Sequence, residues 1–316
     1  MYNPSKPFKK HIFELIQQTW ETPYVLVQKS QCDVYPIIKR KFSFPEIDHT
    51  DGIGTKGLYH WQKRYFRNAT LDALAMNLND LTLSKAIPFK LQDHLILPED
   101  DNDAIIETIS TLSDECVKRQ IAITGGETSI QNTMQGIDLS LTVSGFIKNY
   151  KPNIFLQGDI LIGLKSSGLH SNGFTKVREI FKNEYRDEFI EPTKIYVDLI
   201  SSLEELIDIR GMRHITGGAF TKLKDVILNE NCDIIINKPY RLQPHNIFYE
   251  LYEKGISDED MYKTFNCGIG FIIAVSPEDV NKIQLEESEI IGEIRRGEGE
   301  GKVIIESSFS DRIVVF

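Results

Sequence analysis

The chain has 316 residues, 41% of them apolar and 10% aromatic, which is enough for two well-packed domains or one large one. Its 36 Lys and Arg against 46 Asp and Glu give a formal charge of −10, spread along the chain, which argues against nucleic acid as the main partner. No run of about 18 apolar residues occurs, so the sequence predicts no membrane-spanning helix.

The amino terminus and the cysteines predict a cytoplasmic protein. Residues 1–10 lack an apolar core of signal-peptide length, so no export is implied. The four cysteines stand far apart without a Cys-x-x-Cys pair, which suggests neither a zinc site nor a disulfide framework. We expect these cysteines to be reduced and mostly buried: Cys32, Cys116, Cys232 and Cys267.

The first informative element is a glycine-spaced turn, Asp51-Gly52-Ile53-Gly54-Thr55-Lys56. Glycines let the backbone approach a ligand and present N–H donors, while Asp can bind Mg²⁺ and Lys can contact phosphoryl oxygens. The hexapeptide therefore favours a site for nucleotide phosphates, although such residues also make ordinary hairpin turns.

Apolar spacing predicts the other elements of the first half. Two helices are indicated, the first over about residues 70–81 and ending in Asn79-Asp80. Their stripes are Leu71, Leu74, Leu78 and Leu81, and then Ile105, Ile109, Leu112 and Cys116. An apolar run at 121–123 leads into Thr124-Gly125-Gly126-Glu127-Thr128, which predicts a strand that ends in a glycine turn. Strict alternation over residues 137–143 predicts a strand with one buried face.

A break at residues 148–159, with Pro152 and a Gly-Asp turn, predicts a boundary between domains 1–152 and 153–316. In the second half a strand at 160–164, a loop at 166–173 and a helix striped by Phe174, Val177 and Phe181 follow one another. The segment 214–218 then opens a helix. Its stripe is Phe220, Leu223 and Ile227, and further strands are expected at 233–237, 271–275, 302–306 and 312–316. Alternating strands and helices in both halves predict two α/β or α+β domains.

Three carboxylates beside turns or helix ends, Asp51, Asp80 and Glu127, are candidate Mg²⁺ ligands. Mg²⁺ shares a few oxygen ligands with phosphates and water, so isolated acids from separate loops suit it. As alternatives, Asp80 could merely end its helix and Glu127 could be a solvated turn residue.

In the second half, the loop Ser167-Gly168-Leu169-His170-Ser171-Asn172-Gly173 gathers hydroxyl, imidazole and amide groups before a helix. The start of a helix attracts anions, and Thr216-Gly217-Gly218 has the same arrangement. Helix capping by Ser171, Asn172 or Thr216 is the structural alternative. His49, His94 and His214 have no partner at metal-ligand spacing, and we assign them no metal.

These blocks, in this order, resemble the aminoimidazole ribonucleotide synthetase (phosphoribosylformylglycinamidine cyclo-ligase) family from about residue 48 to the carboxyl end. The residues that carry the resemblance are 51–56, Asn79-Asp80-Leu81, Gly125-Gly126-Glu127-Thr128, 166–173, Pro192-Thr193-Lys194-Ile195-Tyr196-Val197, His214-Ile215-Thr216-Gly217-Gly218 and 261–270. The chain ends Val314-Val315-Phe316, without the terminal Cys of the hydrogenase-maturation relative.

The resemblance implies an α+β (α/β-like) two-domain fold with a mixed sheet and helices in each half. Residues 1–152 would bind ATP and Mg²⁺ and form a homodimer, and residues 153–316 would bind a small-molecule ribonucleotide. The implied activity is that of a ligase of de novo purine biosynthesis, the ATP-dependent cyclisation of formylglycinamidine ribonucleotide to aminoimidazole ribonucleotide through phosphorylation of the formamide oxygen.

The resemblance also implies roles for individual residues. His170 and Lys56 would be catalytic, and Asp51, Asp80 and Glu127 would hold the metal. The cofactor would further contact Gly52, Gly54, Thr55, Lys56 and Thr128, and the substrate would contact Ser167, His170, Ser171, Asn172, Gly173, Thr216, Gly217 and Gly218.

The first 47 residues contain no glycine, where the family has glycine-containing segments that close over ligands. Two alternatives therefore stay open. One is a related ATP-dependent ligase or kinase acting on a different small amide or amine. The other is a non-catalytic nucleotide-binding relative.

Overall fold

The structure is a computed structural model that describes residues 8–30, 35–227, 231–283 and 286–316. The chain divides into two compact units. The first contains Met1–Tyr150 and Tyr185–Ile195, and the second contains Lys151–Glu184 and Tyr196–Phe316. The predicted boundary after residue 152 and the roles of the two domains stay predictions. None of the helices in the described ranges is both long and apolar enough to cross a membrane.

In its described residues, the first unit combines four α-helices with a two-stranded and a four-stranded sheet. The helices are α1 (Lys9–Gln17), α2 (Gly57–Lys63), α3 (Phe66–Thr82) and α4 (Asn102–Arg119). The strands are β1 (Val25–Gln28), β2 (Ile37–Arg40), β3 (Glu46–Gly52), β4 (Ile87–Leu97), β5 (Ala122–Ile130) and β6 (Asp138–Phe146). β1 and β2 pair with each other, and the larger sheet has the order β3-β6-β4-β5. Only the β4–β5 pair in that sheet is parallel, so the sheet is mixed.

The larger sheet buries one face because apolar and polar side chains alternate along its strands. Leu139, Leu141 and Val143 of β6 are fully buried, as the alternation predicts, and α3 packs against β6 and β3. The helix α4 confirms its predicted stripe, whose four residues are all buried, and α3 confirms the predicted helix but begins four residues earlier. The stripe predicted for α3 does not mark a single face, because Leu71 is only partly buried and α3 is buried on nearly all sides. The side chain of Asp101 caps α4 by accepting a hydrogen bond from the N–H of Ala104 at 3.0 Å.

The prediction of a glycine turn at residues 124–128 is wrong, because β5 runs through these residues to Ile130. The register of β5 on β4 shifts between Leu91 and Gln92, so the strand absorbs an extra residue there. Gly126 serves close packing rather than a turn. A Cβ at that position would lie 2.1 Å from Oδ1 of Asp93 on the neighbouring strand.

The second unit is built on one seven-stranded mixed sheet with the order β13-β12-β9-β11-β7-β10-β8. The strands are β7 (Ile160–Lys165), β8 (Ile209–His214), β9 (Cys232–Ile236), β10 (Ile269–Val275), β11 (Ser288–Arg296), β12 (Val303–Glu306) and β13 (Ile313–Val315). The helices are α5 (Phe174–Phe181), α6 (Val197–Glu204), α7 (Asn246–Glu253) and α8 (Asp258–Thr264). All seven residues of β10 are buried, which explains its uninterrupted apolar sequence.

The helix predicted after residue 218 is a 3₁₀-helix, Ala219–Val226, rather than an α-helix. Three residues per turn align Phe220, Leu223 and Val226, and all three are buried. Ile227 lies beyond the helix and forms a bridge with Phe155. Of the cysteines, Cys116, Cys232 and Cys267 are free and buried, as expected, and Cys32 lies outside the described residues.

A buried ionic cluster holds the first unit together. The ammonium of Lys56 lies 2.8 Å from Oδ2 of Asp72 on α3, and both side chains are completely buried. His60 lies 2.7 Å from the same carboxylate oxygen. Burial would raise the pKa of Asp72, but the charge of Lys56 and the hydrogen bond from His60 hold that pKa well below its ordinary value. Asp72 is therefore ionised and Lys56 is its counter-charge.

The same cluster anchors the segment Tyr185–Ile195. This segment belongs to the first unit, although Lys151–Glu184 of the second unit precede it in the chain. The backbone N–H and the hydroxyl of Thr193 donate to Oδ1 of Asp72 at 2.7 and 2.6 Å. Lys56 donates to the carbonyl of Glu191 at 2.5 Å. Asn79 of α3 donates to the carbonyl of Lys194 at 2.9 Å. One carboxylate thus organises both a helix and a distant segment.

We predict that Asp72→Asn destabilises the protein by about 3–5 kcal/mol, because it leaves the buried Lys56 without a counter-charge. Urea unfolding measures the change. Asp187→Asn is the matched control, since Asp187 also pairs with a lysine, Lys63, but has 85% of its side chain exposed. It should change stability by less than about 1 kcal/mol. Equal effects of the two substitutions would contradict the importance of the cluster.

Candidate functional site

Two of the three predicted metal ligands lie close together at the end of β3. His49 and Asp51 are two residues apart on this strand and face α3, where Asn77 and Asp80 are three residues apart on one side of the helix. The Nδ1 of His49 lies 3.0 Å from Oδ1 of Asn77, and its Nε2 lies 3.4 Å from Oδ2 of Asp80. Asn77 donates to the backbone carbonyl of Asp51 at 3.0 Å. This group of four residues is the Asp51–Asp80 cluster.

The electrostatics of the Asp51–Asp80 cluster favour a cation. Both ring nitrogens of His49 face oxygen acceptors, which only the protonated ring can satisfy by donating twice. The hydrogen bond with Asp80 raises the pKa of His49, and the charge of Asp51 adds to the effect. The side chains of His49 and Asp80 keep 29% and 25% of their surface exposed. A solvent-accessible cluster that stabilises a proton can also attract a metal ion.

The third predicted ligand, Glu127, lies at the opposite edge of the sheet. The residues Asp51, Leu141, Asp93 and Gly126 form one row across four strands, and Glu127 follows that row on β5. Three strand spacings of about 4.8 Å separate the edge strands, a distance of about 14 Å. Within one chain, the structure therefore brings Asp51 and Asp80 together and keeps Glu127 and Thr128 apart from them. The assignment of all three acids to one ion stays a prediction.

Mg²⁺ nevertheless fits the Asp51–Asp80 cluster. Within the described ranges no group of three or more His, Cys, Asp or Glu side chains is arranged to hold a metal ion. Mg²⁺ commonly takes only one or two protein carboxylates and completes its coordination with phosphates and water. The two partly exposed carboxylates of this cluster suit that mode, in which the protein supplies only some of the ligands of the ion.

The glycine turn after Asp51 offers backbone donors, while Lys56 points elsewhere. β3 ends at Gly52, and Gly54–Lys56 form a short 3₁₀ turn before α2. Gly54 has φ +54 and open space where a side chain would stand, so a ligand can approach its backbone closely. Lys56 is completely buried against Asp72. Its contacts are those of a residue that positions the turn, and its predicted role at phosphates stays a prediction.

In the second unit, His170 shapes the loop predicted to bind substrate. The ring is completely buried, and its Nε2 accepts a hydrogen bond from the N–H of Ser167 at 3.2 Å. A Cβ on Gly270 of β10 would lie 2.5 Å from Cε1 of His170, so only glycine leaves room for the ring. The ring centroids of Tyr196 and His214 lie 6.3 and 6.4 Å away. His170 therefore positions the loop, and its role in proton transfer stays a prediction.

Asn172 is the polar side chain of this loop best placed for a ligand. Its side-chain amide nitrogen is buried and has no hydrogen-bond partner in the described part of the chain. It does not cap α5, whose N-cap is Gly173 without a side-chain hydrogen bond. A Cβ on Gly217 would lie 3.6 Å from Oδ1 of Asn172, so the loop and the segment Thr216–Gly218 meet here. A buried donor without an acceptor is suited to an oxygen atom of a ligand.

Sequence reasoning missed three residues of these sites. His49 and Asn77 join the two acids, and Asn266 closes the loop of the second unit by donating to the carbonyl of Gly168 at 2.7 Å. Two spacings in the sequence were the available signals. His49 lies two residues before Asp51, which places both on one face of a strand, and Asn77 lies three residues before Asp80, which places both on one face of a helix. Asn266 lies inside the block 261–270, but its contact crosses about a hundred residues and leaves no local pattern.

Comparisons with known proteins agree with the fold and show the family. The family model described as AIR synthase related protein, N-terminal domain, matches residues 47–147, and its C-terminal counterpart matches residues 157–305. Solved structures with a similar fold include thiamine-monophosphate kinase from Stenotrophomonas maltophilia K279a, at 16% identity and TM-score 0.68, covering 98% of this chain and 99% of that one. They also include hydrogenase maturation protein HypE in complex with ATP, at 15% identity and TM-score 0.68, covering 99% and 95%. At such identities the likeness shows the fold alone.

Curated relatives are more informative because their identities are higher. The phosphoribosylformylglycinamidine cyclo-ligase of Saccharolobus solfataricus is 36% identical over 244 residues, which cover 75% of this chain and 73% of the relative. The enzymes of the same name from Clostridium perfringens and Methanococcus vannielii are 35% and 36% identical, covering 82% and 84% of this chain and 83% and 81% of theirs. The chain belongs to the phosphoribosylformylglycinamidine cyclo-ligase family of enzymes.

Proposed function

We propose that the chain catalyses the ATP-dependent cyclisation of formylglycinamidine ribonucleotide to aminoimidazole ribonucleotide, a step of purine biosynthesis. The observation that carries the proposal is its 36% identity to a cyclo-ligase over three quarters of the chain. The Asp51–Asp80 cluster and the buried amide of Asn172 add chemical support, since the reaction needs a bound triphosphate and a ligand rich in oxygen atoms.

Phosphorylation of the formamide oxygen converts a poor leaving group into phosphate, which is a good one. The formamide oxygen attacks the γ-phosphorus of ATP and ADP leaves. A nitrogen of the same molecule then attacks the activated carbon, the C–O bond breaks, phosphate departs with the electron pair, and the nitrogen loses a proton. Because ring closure is intramolecular, the protein mainly has to position the reactants and stabilise phosphoryl charge.

Each proposed role follows from the position of the residue. Asp51 and Asp80 hold Mg²⁺ on ATP, and the backbone N–H groups near Gly54 and Thr55 contact the phosphates. Mg²⁺, when bound, neutralises charge on the transferred phosphoryl group. In the second unit Asn172 donates to an oxygen of the ribonucleotide, supported by the neighbouring Ser167, Ser171 and Thr216–Gly218.

The direct test supplies formylglycinamidine ribonucleotide, ATP and Mg²⁺ to the purified chain. We expect aminoimidazole ribonucleotide and ADP in equal amounts, detected by chromatography and mass spectrometry. Omitting the ribonucleotide should abolish ADP release. Magnesium-dependent ATP binding without this product would favour a related ligase or kinase with a different amide or amine substrate, and absence of ATP binding would favour the non-catalytic relative.

Replacement of the cluster acids tests the metal site. Asp51→Asn and Asp80→Asn keep the side-chain shape but remove a charge from the cation, so each should lower ATP turnover on the order of a hundredfold or more. Asp114→Asn, on the exposed side of α4, is the matched control and should keep wild-type turnover. Thermal unfolding checks that the variants fold. Wild-type turnover in both cluster variants would refute the assignment.

The state of assembly and the location of the protein follow from the resemblance. We propose a homodimer that forms through the amino-terminal domain, and a cytoplasmic location. Sedimentation velocity should give the mass of two chains at micromolar concentration, whereas a monomer would contradict the dimer. Activity in the membrane pellet of the source cells would contradict the location.

A further inference from the structure

The loop 166–173 of the second unit is held by side chains that come from outside it. β7 ends at Lys165, and the N–H of Ser166 still donates to the carbonyl of Gly268 at 2.9 Å. Side chains donate to the backbone carbonyls where the chain leaves the sheet. The hydroxyl of Tyr196 donates to the carbonyl of Lys165 at 2.7 Å, and the ring of His245 donates to that of Ser166 at 3.0 Å.

His245 immediately precedes α7 and reaches the loop across 79 residues of sequence. A carbonyl oxygen only accepts hydrogen bonds, so Nε2 of the ring carries the proton. The backbone that carries the ring is fixed as well. The N–H of Phe248 donates to the carbonyl of His245 at 2.9 Å, and Cα of Pro244 lies 3.1 Å from the place that a Cβ on Gly268 would occupy. Both backbone groups of Ser166 are thus attached to one packed region.

The loop needs such support because its backbone does not follow an ordinary conformation. His170 has φ +59, which lies in the left-handed region that residues other than glycine rarely adopt. The N–H of Ser167 donates to the ring of His170, and Asn266 donates to the carbonyl of Gly168. With the contacts of Ser166, three successive residues are therefore held by hydrogen bonds before the chain reaches α5.

The loop carries two buried polar groups that suit a ligand. The hydroxyl of Ser166 and the side-chain amide nitrogen of Asn172 are both without a hydrogen-bond partner among the described residues. The ring of His245 is only partly buried, so water can replace its hydrogen bond to the carbonyl of Ser166. Loss of the ring would therefore affect the orientation of the loop more than the stability of the second unit.

We infer that His245 is a positioning residue, which fixes Ser166 so that the loop has its binding conformation before the ligand arrives. The identity of that ligand, formylglycinamidine ribonucleotide, rests on the proposed function. When only a fraction of a protein is competent to bind, the apparent affinity falls by that fraction, whereas the bound complex is unchanged. Loss of the donor should therefore raise KM for the ribonucleotide and leave kcat as it is.

Steady-state kinetics of two variants tests the role. His245→Leu removes the donor, and its KM for the ribonucleotide should rise about tenfold, the value of one hydrogen bond. His245→Gln keeps an N–H close to the position of Nε2 and should restore KM to within about twofold of the wild type. In both variants kcat and the KM for ATP should stay within about twofold of the wild type. Asn246→Leu, at the exposed next residue, is the matched control and should keep the wild-type KM.

Amide hydrogen exchange tests the loop without ligand or turnover. In the wild type the N–H groups of Ser166 and Ser167 should exchange slowly, because both are hydrogen-bonded. In His245→Leu their exchange should be about tenfold faster, whereas His245→Gln should exchange like the wild type. Exchange in β10 (Ile269–Val275) should be the same in all three proteins, since a positioning role does not loosen the sheet.

Three results overturn the inference: wild-type exchange of the loop in His245→Leu, equal acceleration of β10 and the loop, or fast exchange of both loop amides in the wild type. The last of these needs no variant and decides even if His245→Leu does not fold. A chain that forms product with the same KM in the wild type and in His245→Leu also loses this inference, but only this one. A chain that forms no product, while its loop exchange depends on the donor, keeps the positioning role and loses the cyclo-ligase proposal.

Discussion

The first unit depends on the buried ion pair between Lys56 and Asp72. Lys56 belongs to the turn that follows Asp51, and Asp72 belongs to α3, which carries Asp80 eight residues later. The pair therefore ties together the two elements that present the acids of the Asp51–Asp80 cluster. Loss of one partner of a buried ion pair destabilises a protein far more than loss of an exposed ion pair. The buried pair therefore holds these two elements firmly in position. The same carboxylate holds Thr193 and with it the segment Tyr185–Ile195.

Acidic residues of one unit have different chemistry because their neighbours differ. Asp72 is ionised beside a buried lysine, Asp80 lies 3.4 Å from a ring nitrogen of His49, and burial raises the pKa of Asp93 to about 7. The first environment suits a structural counter-charge and the second suits a cation site, whereas the third favours the neutral form of the carboxyl group. In the second unit the same contrast separates His170, which holds its own loop, from Asn172, whose amide nitrogen has no partner in the described residues.

Elements with long and regular periodicity could be predicted from the sequence, whereas interrupted ones could not. The stripe of α4 and the alternation of β6 gave the correct elements because each buries one face against a single partner layer. β4 is not predicted, although Phe89, Leu91, Leu95 and Leu97 are buried, because Asp93 interrupts the apolar series. The glycines at 125 and 126 indicated a turn, but they permit close packing inside a strand.

The sequence by itself determined the family, the order of the blocks and the residue types available for phosphate and metal chemistry, since these depend on local composition and spacing. Only the tertiary structure decided which residues meet. The order of the strands places Glu127 and Asp51 at opposite edges of the sheet. The packing of the first unit buries Lys56 in an ion pair with Asp72. His49 entered the Asp51–Asp80 cluster, and Asp93 came to face a cavity. Distances across a sheet and the loss of water around a charge depend on chain segments far apart in sequence, and no local pattern encodes them.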